Sequence, residues 1–102
     1  MAIFAQLDNN DIVMRTLIVN DDVITDSNGI QQESIGIEFL KTLYGAETVW
    51  VQTSESWSFR KQLAHPNYFY NRSADVFVQP KSSWPEGHVL DEDFDWVHPT
   101  EI

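Results

Sequence analysis

The stretch YFYNRSADVFVQPKSSWPEGHVLDEDFDWV, residues 68–97, decides the fold that we predict for this chain. It contains two aromatic strand pairs, residues 68–70 with 76–78 and residues 88–91 with 95–97. Short connections rich in Asn, Asp and Ser join the strands of each pair, and these residues suit tight turns because their side chains bond the neighbouring main chain. The stretch therefore predicts two β-hairpins with short strands.

Residues 2–19 predict a further β-hairpin, with its turn at residues 8–11. Ile3, Ala5 and Leu7 alternate along the first strand and so line one face of it. Residues 20–31 are rich in Asp, Asn, Ser and Thr, a composition that predicts an exposed loop.

Residues 34–44 predict one short helix, with Ser34 as its N-cap and Gly45 as its stop. Its apolar residues recur at steps of three and four, which indicates one face packed on a sheet. These residues are Ile35, Phe39, Leu40, Leu43 and Tyr44. The β-branched residues of 47–53 then predict a strand in the centre of the sheet.

These elements predict one α+β domain over residues 1–102: a small, mostly antiparallel sheet built of β-hairpins, with one short α-helix packed on it. The chain is long enough for one modest hydrophobic core and too short for two domains. We expect Phe39, Tyr44 and Trp50 inside that core, because a small domain needs its large rings there.

Sixteen Asp and Glu residues against six Lys and Arg residues give the chain a formal net charge of −10. A surface of this sign repels phosphates, and no basic cluster offsets it, so we expect neither nucleic acid nor membrane as a partner. The chain has no cysteine. It also has no apolar run of about 20 residues and no basic start followed by an apolar segment, so we expect no membrane span and no signal peptide.

Asp91, Asp93 and Asp95 stand at alternate positions, like the first ligands of a calcium-binding loop. The rest of that motif is missing, because Val97 stands where the loop needs glycine and Ile102 stands where it needs a bidentate glutamate. We therefore interpret these aspartates as a solvated acidic turn.

The other reactive residue types are also not arranged for chemistry. His65, His88 and His98 each lie beside a proline or glycine, without the spacing of a zinc site. No Gly-x-Ser-x-Gly elbow and no glycine-rich phosphate loop occur, and the glycosylation-like triplet at Asn71 reads as a turn. The sequence therefore predicts no catalytic residue, no cofactor and no metal, and a small enzyme is the least favoured class.

Four aromatic residues lie beside loops, prolines and polar residues, where an amphipathic ring can anchor a partner protein. They are Trp57, Tyr68, Tyr70 and Trp84. Two interpretations stay open for each of them: a satellite of the core, or a protein interface. We take them as the candidate interface.

Residues 1–8, 33–39, 48–54 and 83–96 resemble blocks of small virion structural proteins of tailed phages, notably those of marine cyanobacteria. The resemblance implies a non-enzymatic protein bound in multiple copies to the particle, as capsid decoration or cement or as a tail or baseplate attachment protein. It implies phage capsid or tail proteins as partners, a possible homo-oligomer within the virion, and localisation to the virion after synthesis in the host cytoplasm.

The chain departs from that pattern in two loops. Residues 62–67 replace a glycine-rich approach to the aromatic hairpin, and residues 85–88 lengthen the link before the last strands. A competing interpretation needs no particle: an acidic inhibitor or adaptor protein, made during infection, that binds a basic site on a host or phage protein.

Overall fold

The computed structural model describes residues 2–54, 56, 58–81, 84 and 87–98, and it shows the predicted α+β fold. All strand pairs in this part of the chain are antiparallel. The elements are β1 (Ala2–Leu7), β2 (Val13–Val19), α1 (Asp21–Ile24), α2 (Glu33–Tyr44), β3 (Val49–Thr53), β4 (Phe69–Asn71), β5 (Val76–Val78), β6 (Val89–Leu90) and β7 (Trp96–Val97).

The main sheet has the strand order β2-β1-β3, so β1 is its central strand. The strand predicted for the centre of the sheet, β3, is at the edge, and that prediction was wrong. The hairpin partner β2 occupies one side of β1, and β3 pairs with the other side. β4 with β5 and β6 with β7 form two separate hairpins, with the pairing that the sequence predicts.

Both faces of the main sheet are buried, because the side chains of β1 alternate between two hydrophobic clusters. The cluster on the α2 side consists of Ala2, Phe4, Val19, Ile24, Leu40 and Trp50. The cluster on the other side consists of Ala5, Leu7, Val13, Val51, Ala64, Tyr70 and Phe77. The helix and the β4–β5 hairpin therefore cover opposite faces of the same three strands.

Helix α2 approaches the sheet through Gly36. A Cβ atom on this residue would lie 2.3 Å from Cζ of Phe4 and 2.9 Å from Cγ2 of Ile24, distances at which one of the neighbours must shift. Gly36 and Leu40 are the buried residues of the helix. The close contact thus turns the Gly36 side of the helix toward the sheet.

This orientation corrects the predicted core. Phe39, Leu43 and Tyr44 are exposed, and they line an open groove beside β2 instead of packing into the core. Trp50 is buried as predicted, and its indole Nε1 donates to Oγ1 of Thr48 at 2.8 Å. The apolar stripe of α2 is therefore only partly used by the core.

The ends of α2 were predicted with mixed success. Gly45 ends the helix at φ 121°, and its N–H donates to the carbonyl of Lys41. Ser34 was predicted as the N-cap and is not: the N-cap is Gln32, which makes no side-chain capping hydrogen bond. The carboxylate of Glu33, the first helical residue, instead accepts the N–H of Gln52 on β3.

The segment 20–31, predicted as an exposed loop, contains the short helix α1 and a fully buried Ile24. Its remaining part closes in a tight turn that begins at Asp26. Asp26 Oδ1 accepts the N–H groups of Asn28 and Ile30 at 2.8 and 3.0 Å. The loop is therefore partly anchored in the core.

The same turn occurs at Asp8 and at Asp91. In each case the aspartate Oδ1 accepts the N–H groups two and four residues later, at 2.8 and 3.0 Å. The residue three positions after the aspartate has a positive φ in every copy, namely Asp11, Gly29 and Phe94. A side chain that bonds the main chain in this way stabilises a left-handed residue that the turn requires.

The outer edge of β3 is closed by an ion pair. The N–H of Gln52 donates to Glu33 Oε2 at 2.7 Å, and Nη1 of Arg60 donates to the carbonyl of Gln52 at 2.8 Å. Arg60 also donates to Glu33 and, through Nε, to Asp75. These side chains take the place of a neighbouring strand and so block edge pairing at Gln52.

Candidate protein-binding site

The structure describes three of the four predicted interface residues, and it places them in different environments. Trp57 lies outside the described residues. Tyr70 is buried, with 6% of its surface exposed, and Tyr68 is half-buried. Trp84 is exposed at 38%. Of the candidates that the structure describes, Trp84 is the one that presents a large ring to solvent.

Tyr70 is a core residue and is removed from the predicted interface. It pairs with Phe77 across β4 and β5, and the two ring centroids lie 5.1 Å apart. Its hydroxyl donates to Asp75 Oδ1. Burial and this hydrogen bond raise the pKa of Tyr70, so the hydroxyl stays protonated.

Asp75 and Arg60 hold opposite charges beside this ring. Hydrogen bonds from Tyr70 and Arg60 lower the pKa of Asp75. Burial lowers the pKa of Arg60, but the hydrogen bonds and charges of Glu33 and Asp75 outweigh burial and raise it above its ordinary value. At neutral pH Arg60 is therefore positively charged and Asp75 negatively charged, and the two form a structural ion pair.

Tyr68 has a structural contact of its own. Its ring lies edge-on to His65, at a centroid distance of 5.3 Å, and its carbonyl accepts the N–H of Val13 at 2.8 Å. The residue thus joins the start of β2 to the segment before β4. This contact leaves Tyr68 as a secondary part of any interface.

Trp84 is held in place before any partner binds. Its indole Nε1 donates to Oε1 of Gln79 at 2.8 Å. Its ring stacks on His88, with centroids 5.9 Å apart and planes inclined by 26°. Gln79 and His88 therefore fix the orientation of the Trp84 ring, and the rest of the ring faces solvent.

A shallow cavity of about 230 Å³ lies next to the Trp84 ring. We define the Trp84 surface as the residues that line this cavity: Gln62, Gln79, Trp84, Phe94, Asp95 and Trp96. The second indole of this set, that of Trp96, donates to the carbonyl of Gln79 at 2.7 Å. Two tryptophans therefore converge on Gln79.

Of the residues of the Trp84 surface, only Trp84 was predicted as interface, and Gln79 is the unpredicted residue that connects the others. Its side chain also donates to Oε1 of Gln62 at 3.2 Å, and Gln62 donates to the carbonyl of Phe77 at 2.8 Å. A chain of amides thus connects the exposed Trp84 to the buried core. One signal was present in the sequence: Gln79 is the polar residue between β5 and Pro80.

The charged residue of the Trp84 surface is Asp95, which forms an ion pair with Lys61 at 2.8 Å. Asp91, the first residue of the predicted acidic turn, uses Oδ1 to accept main-chain N–H groups. Among the described residues, no group of three or more His, Asp or Glu side chains is placed to hold a metal ion.

The histidines near Trp84 form an aromatic row. His98 lies edge-on to His88, with ring centroids 5.7 Å apart. The Nδ1 atom of His88 is buried and has no hydrogen-bond partner among the described residues. His88 therefore supports the Trp84 ring by stacking on it.

Comparison with family models, curated proteins and solved structures finds no match to this chain. No helix in the described part of the chain is both long enough and apolar enough to cross a membrane.

Proposed function

We propose that this chain is a non-enzymatic attachment protein that binds another protein through the Trp84 surface. The observation that carries the proposal is the exposed Trp84 ring, which Gln79 and His88 hold in one orientation. Fixing a large ring before binding lowers the entropy lost on association. Tryptophan is also among the residues that contribute most to protein interfaces.

The cavity beside Trp84 supports a protein partner. Its volume of about 230 Å³ is below the roughly 300–1,000 Å³ typical of small-molecule pockets. It suits one apolar side chain of a partner, packed between the indoles of Trp84 and Trp96. Gln62, Gln79 and Asp95 add polar groups to the lining of the cavity, and polar groups favour a defined orientation of the partner.

The setting that we propose is the virion of a tailed phage. The support is the resemblance of four sequence blocks to small virion structural proteins. In that setting, multiple copies of the chain bind capsid or tail proteins, either as decoration or cement of the capsid or as attachment proteins of the tail or baseplate. Synthesis takes place in the host cytoplasm.

The net charge favours a second candidate, the acidic inhibitor or adaptor. Arg60, Lys61 and Arg72 already form ion pairs with acidic residues of the same chain. With sixteen acids and six bases in the sequence, the surface retains negative charge for a basic site on a partner. This candidate needs no particle and binds by charge rather than by a tryptophan.

Mass spectrometry of gradient-purified particles tests the virion setting. We expect the chain in these particles at a copy number that tracks either the major capsid protein or a ring of the tail. Absence of the chain from particles, with its presence in the infected-cell lysate, would contradict the virion proposal and favour the inhibitor or adaptor.

Substitution of Trp84 tests the binding surface. We expect Trp84→Ala to weaken particle association at least about tenfold, equivalent to about 1.4 kcal/mol, with an unchanged far-UV circular dichroism spectrum. Phe59→Ala is the matched control, because Phe59 is similarly exposed and lies outside the Trp84 surface. Equal binding by the Trp84→Ala variant and the wild type would remove Trp84 as the anchor.

A further inference from the structure

The two edges of the main sheet differ in how many of their outward main-chain groups are hydrogen-bonded. At the β3 edge, Glu33 and Arg60 bond the outward-facing N–H and carbonyl of Gln52. At the other edge, β2 is covered only at its start, where Val13 exchanges main-chain hydrogen bonds of 2.8 Å with Asn67 and Tyr68. Beyond Val13, no hydrogen bond from another described segment reaches the outer side of β2.

The register identifies the open main-chain groups. Gln52 directs its N–H and carbonyl away from β1, so Phe4, its partner on β1, directs its own toward β2. Phe4 pairs in turn with Leu17. The main-chain N–H and carbonyl of Leu17 therefore point toward β1. Because these directions alternate along a strand, the N–H and carbonyl groups of Thr16 and Ile18 point outward.

An apolar groove runs along this open edge, between β2 and α2. Its volume is about 290 Å³, and its walls include Leu17, Val23, Phe39, Leu43 and Tyr44. Ile18 and Leu43 are exposed at 63% and 59%. Apolar residues of α2 that the core leaves exposed thus lie beside a strand edge whose outward main-chain groups have no partner among the described residues.

We propose that a second copy of this chain occupies the groove, with the two β2 strands paired antiparallel about a two-fold axis at Leu17. In this register Thr16 of each copy stands opposite Ile18 of the other, and both residues exchange N–H and carbonyl hydrogen bonds. The Leu17 side chains meet on the α2 face, between the two copies of Leu43. The sheets of the two copies then form one continuous sheet.

A second copy fits this edge for two structural reasons. An antiparallel strand edge is self-complementary about a two-fold axis, so one surface supplies both halves of the interface. The β3 edge is blocked by Glu33 and Arg60, which prevents pairing of β2 with β3 of a further copy. The assembly therefore closes as a dimer and does not extend into a filament.

Local charges agree with the antiparallel arrangement. Arg15 lies near the start of β2, and the exposed Asp22 lies shortly after its end. Antiparallel pairing places Arg15 of one copy at the same end of the interface as Asp22 of the other. The net charge of −10 on each copy opposes association, but charges farther apart than about 8 Å are largely screened at physiological salt.

Sedimentation equilibrium of the free protein at physiological salt tests the proposal without any partner. We expect a shift from the chain mass of 11.8 kDa toward twice that mass between micromolar and millimolar concentration. The exchange of the Ile18 amide hydrogen should slow over the same range. A monomer at every concentration would overturn the proposal.

Ile18→Pro and Leu43→Glu examine the edge and the groove separately. Proline at position 18 removes an outward N–H that the sheet itself does not use, and glutamate at position 43 places a charge in the groove. Each should raise the dimer dissociation constant at least about tenfold. If either variant fails to fold, the other still tests the proposal.

Ile30→Glu is the matched control, because Ile30 is exposed at 57% and lies outside the groove. It should dimerise like the wild type, and so should Trp84→Ala. A dimer that survives both Ile18→Pro and Leu43→Glu would place the contact elsewhere and overturn the proposal. Because these measurements contain no partner protein, their outcome is independent of attachment through the Trp84 surface.

Discussion

Glu33 and Arg60 form a bidentate ion pair across the edge of the main sheet, with Oε2 to Nη1 and Oε1 to Nη2 distances of 2.7 and 3.0 Å. The pair also bonds both outward main-chain groups of Gln52: Glu33 accepts its N–H, and Arg60 donates to its carbonyl. Helix α2 supplies the acid, and the connection after β3 supplies the base. Three successive segments of the chain are thereby joined at a strand edge.

Loss of this pair should destabilise the protein and expose β3. We expect Arg60→Ala to lower the free energy of unfolding by about 2 kcal/mol, because it leaves Glu33 without its charged donor. Urea denaturation measures the loss, and light scattering should show more aggregation. Arg72→Ala is the control, since its ion pair with Asp11 is more exposed and should contribute less than about 1 kcal/mol. Equal losses in the two variants would contradict the role given to Arg60.

Gly36 should tolerate no larger residue. Alanine gains about 1 kcal/mol in helix propensity over glycine, yet its Cβ atom would meet the ring of Phe4 at 2.3 Å. We therefore expect Gly36→Ala to lower the free energy of unfolding by about 1–3 kcal/mol. Thermal unfolding followed by circular dichroism measures the change.

The double variant Gly36→Ala with Phe4→Leu provides the control for that clash. The shorter leucine should relieve the contact, so the two changes together should destabilise less than the sum of the single changes. Strict additivity would show that the Phe4 ring is not what limits position 36.

Tyr70 and Trp84 should respond in opposite ways to truncation. Tyr70→Ala opens a cavity beside Phe77 in the core and should lower the free energy of unfolding by about 3–5 kcal/mol. Trp84→Ala removes an exposed ring and should change the free energy of unfolding by less than about 1 kcal/mol. Urea denaturation of both variants measures these two changes. A loss of unfolding free energy for Trp84→Ala as large as that for Tyr70→Ala would place the Trp84 ring in the core.

Acid should destabilise the fold through its aspartates. Main-chain hydrogen bonds from Ile30 and Asn28 lower the pKa of Asp26, and the hydroxyl of Tyr70 and the guanidinium of Arg60 lower that of Asp75. A carboxylate with a lowered folded-state pKa stabilises the fold above its unfolded value of 3.8. That stability is lost as pH falls through the folded-state pKa.

Urea midpoints between pH 7 and pH 2 test this dependence. We expect a constant midpoint near neutral pH and a steep fall below about pH 4. Asp26→Asn should flatten part of this fall, because asparagine keeps the acceptor oxygen but does not titrate. A wild-type midpoint that stays constant through the acid range would contradict the assignment.

Local features of the fold follow directly from the sequence. Turns at Asp8 and Asp91 and the end of α2 at Gly45 were predictable, because each depends on one residue and its immediate main chain. Strand pairs close in sequence, such as β4 with β5, were predictable for the same reason. Of the candidate site, the exposed Trp84 was identified by its loop and proline neighbours.

The sequence by itself thus determined the α+β class, the hairpins and the turns, because these depend on neighbours along the chain. Only the tertiary structure decided that β3 lies at an edge, that Phe39 faces solvent and that Tyr70 is buried. From the sequence Gly36 is only a residue of low helix propensity, and its close contact with Phe4 is seen only in the structure. From the sequence Gln79 is only part of a linker, and the hydrogen bonds that two indoles donate to it are seen only in the structure. Periodicity identifies a side chain's face, but the contacts that bury or expose that face come from segments far away in sequence.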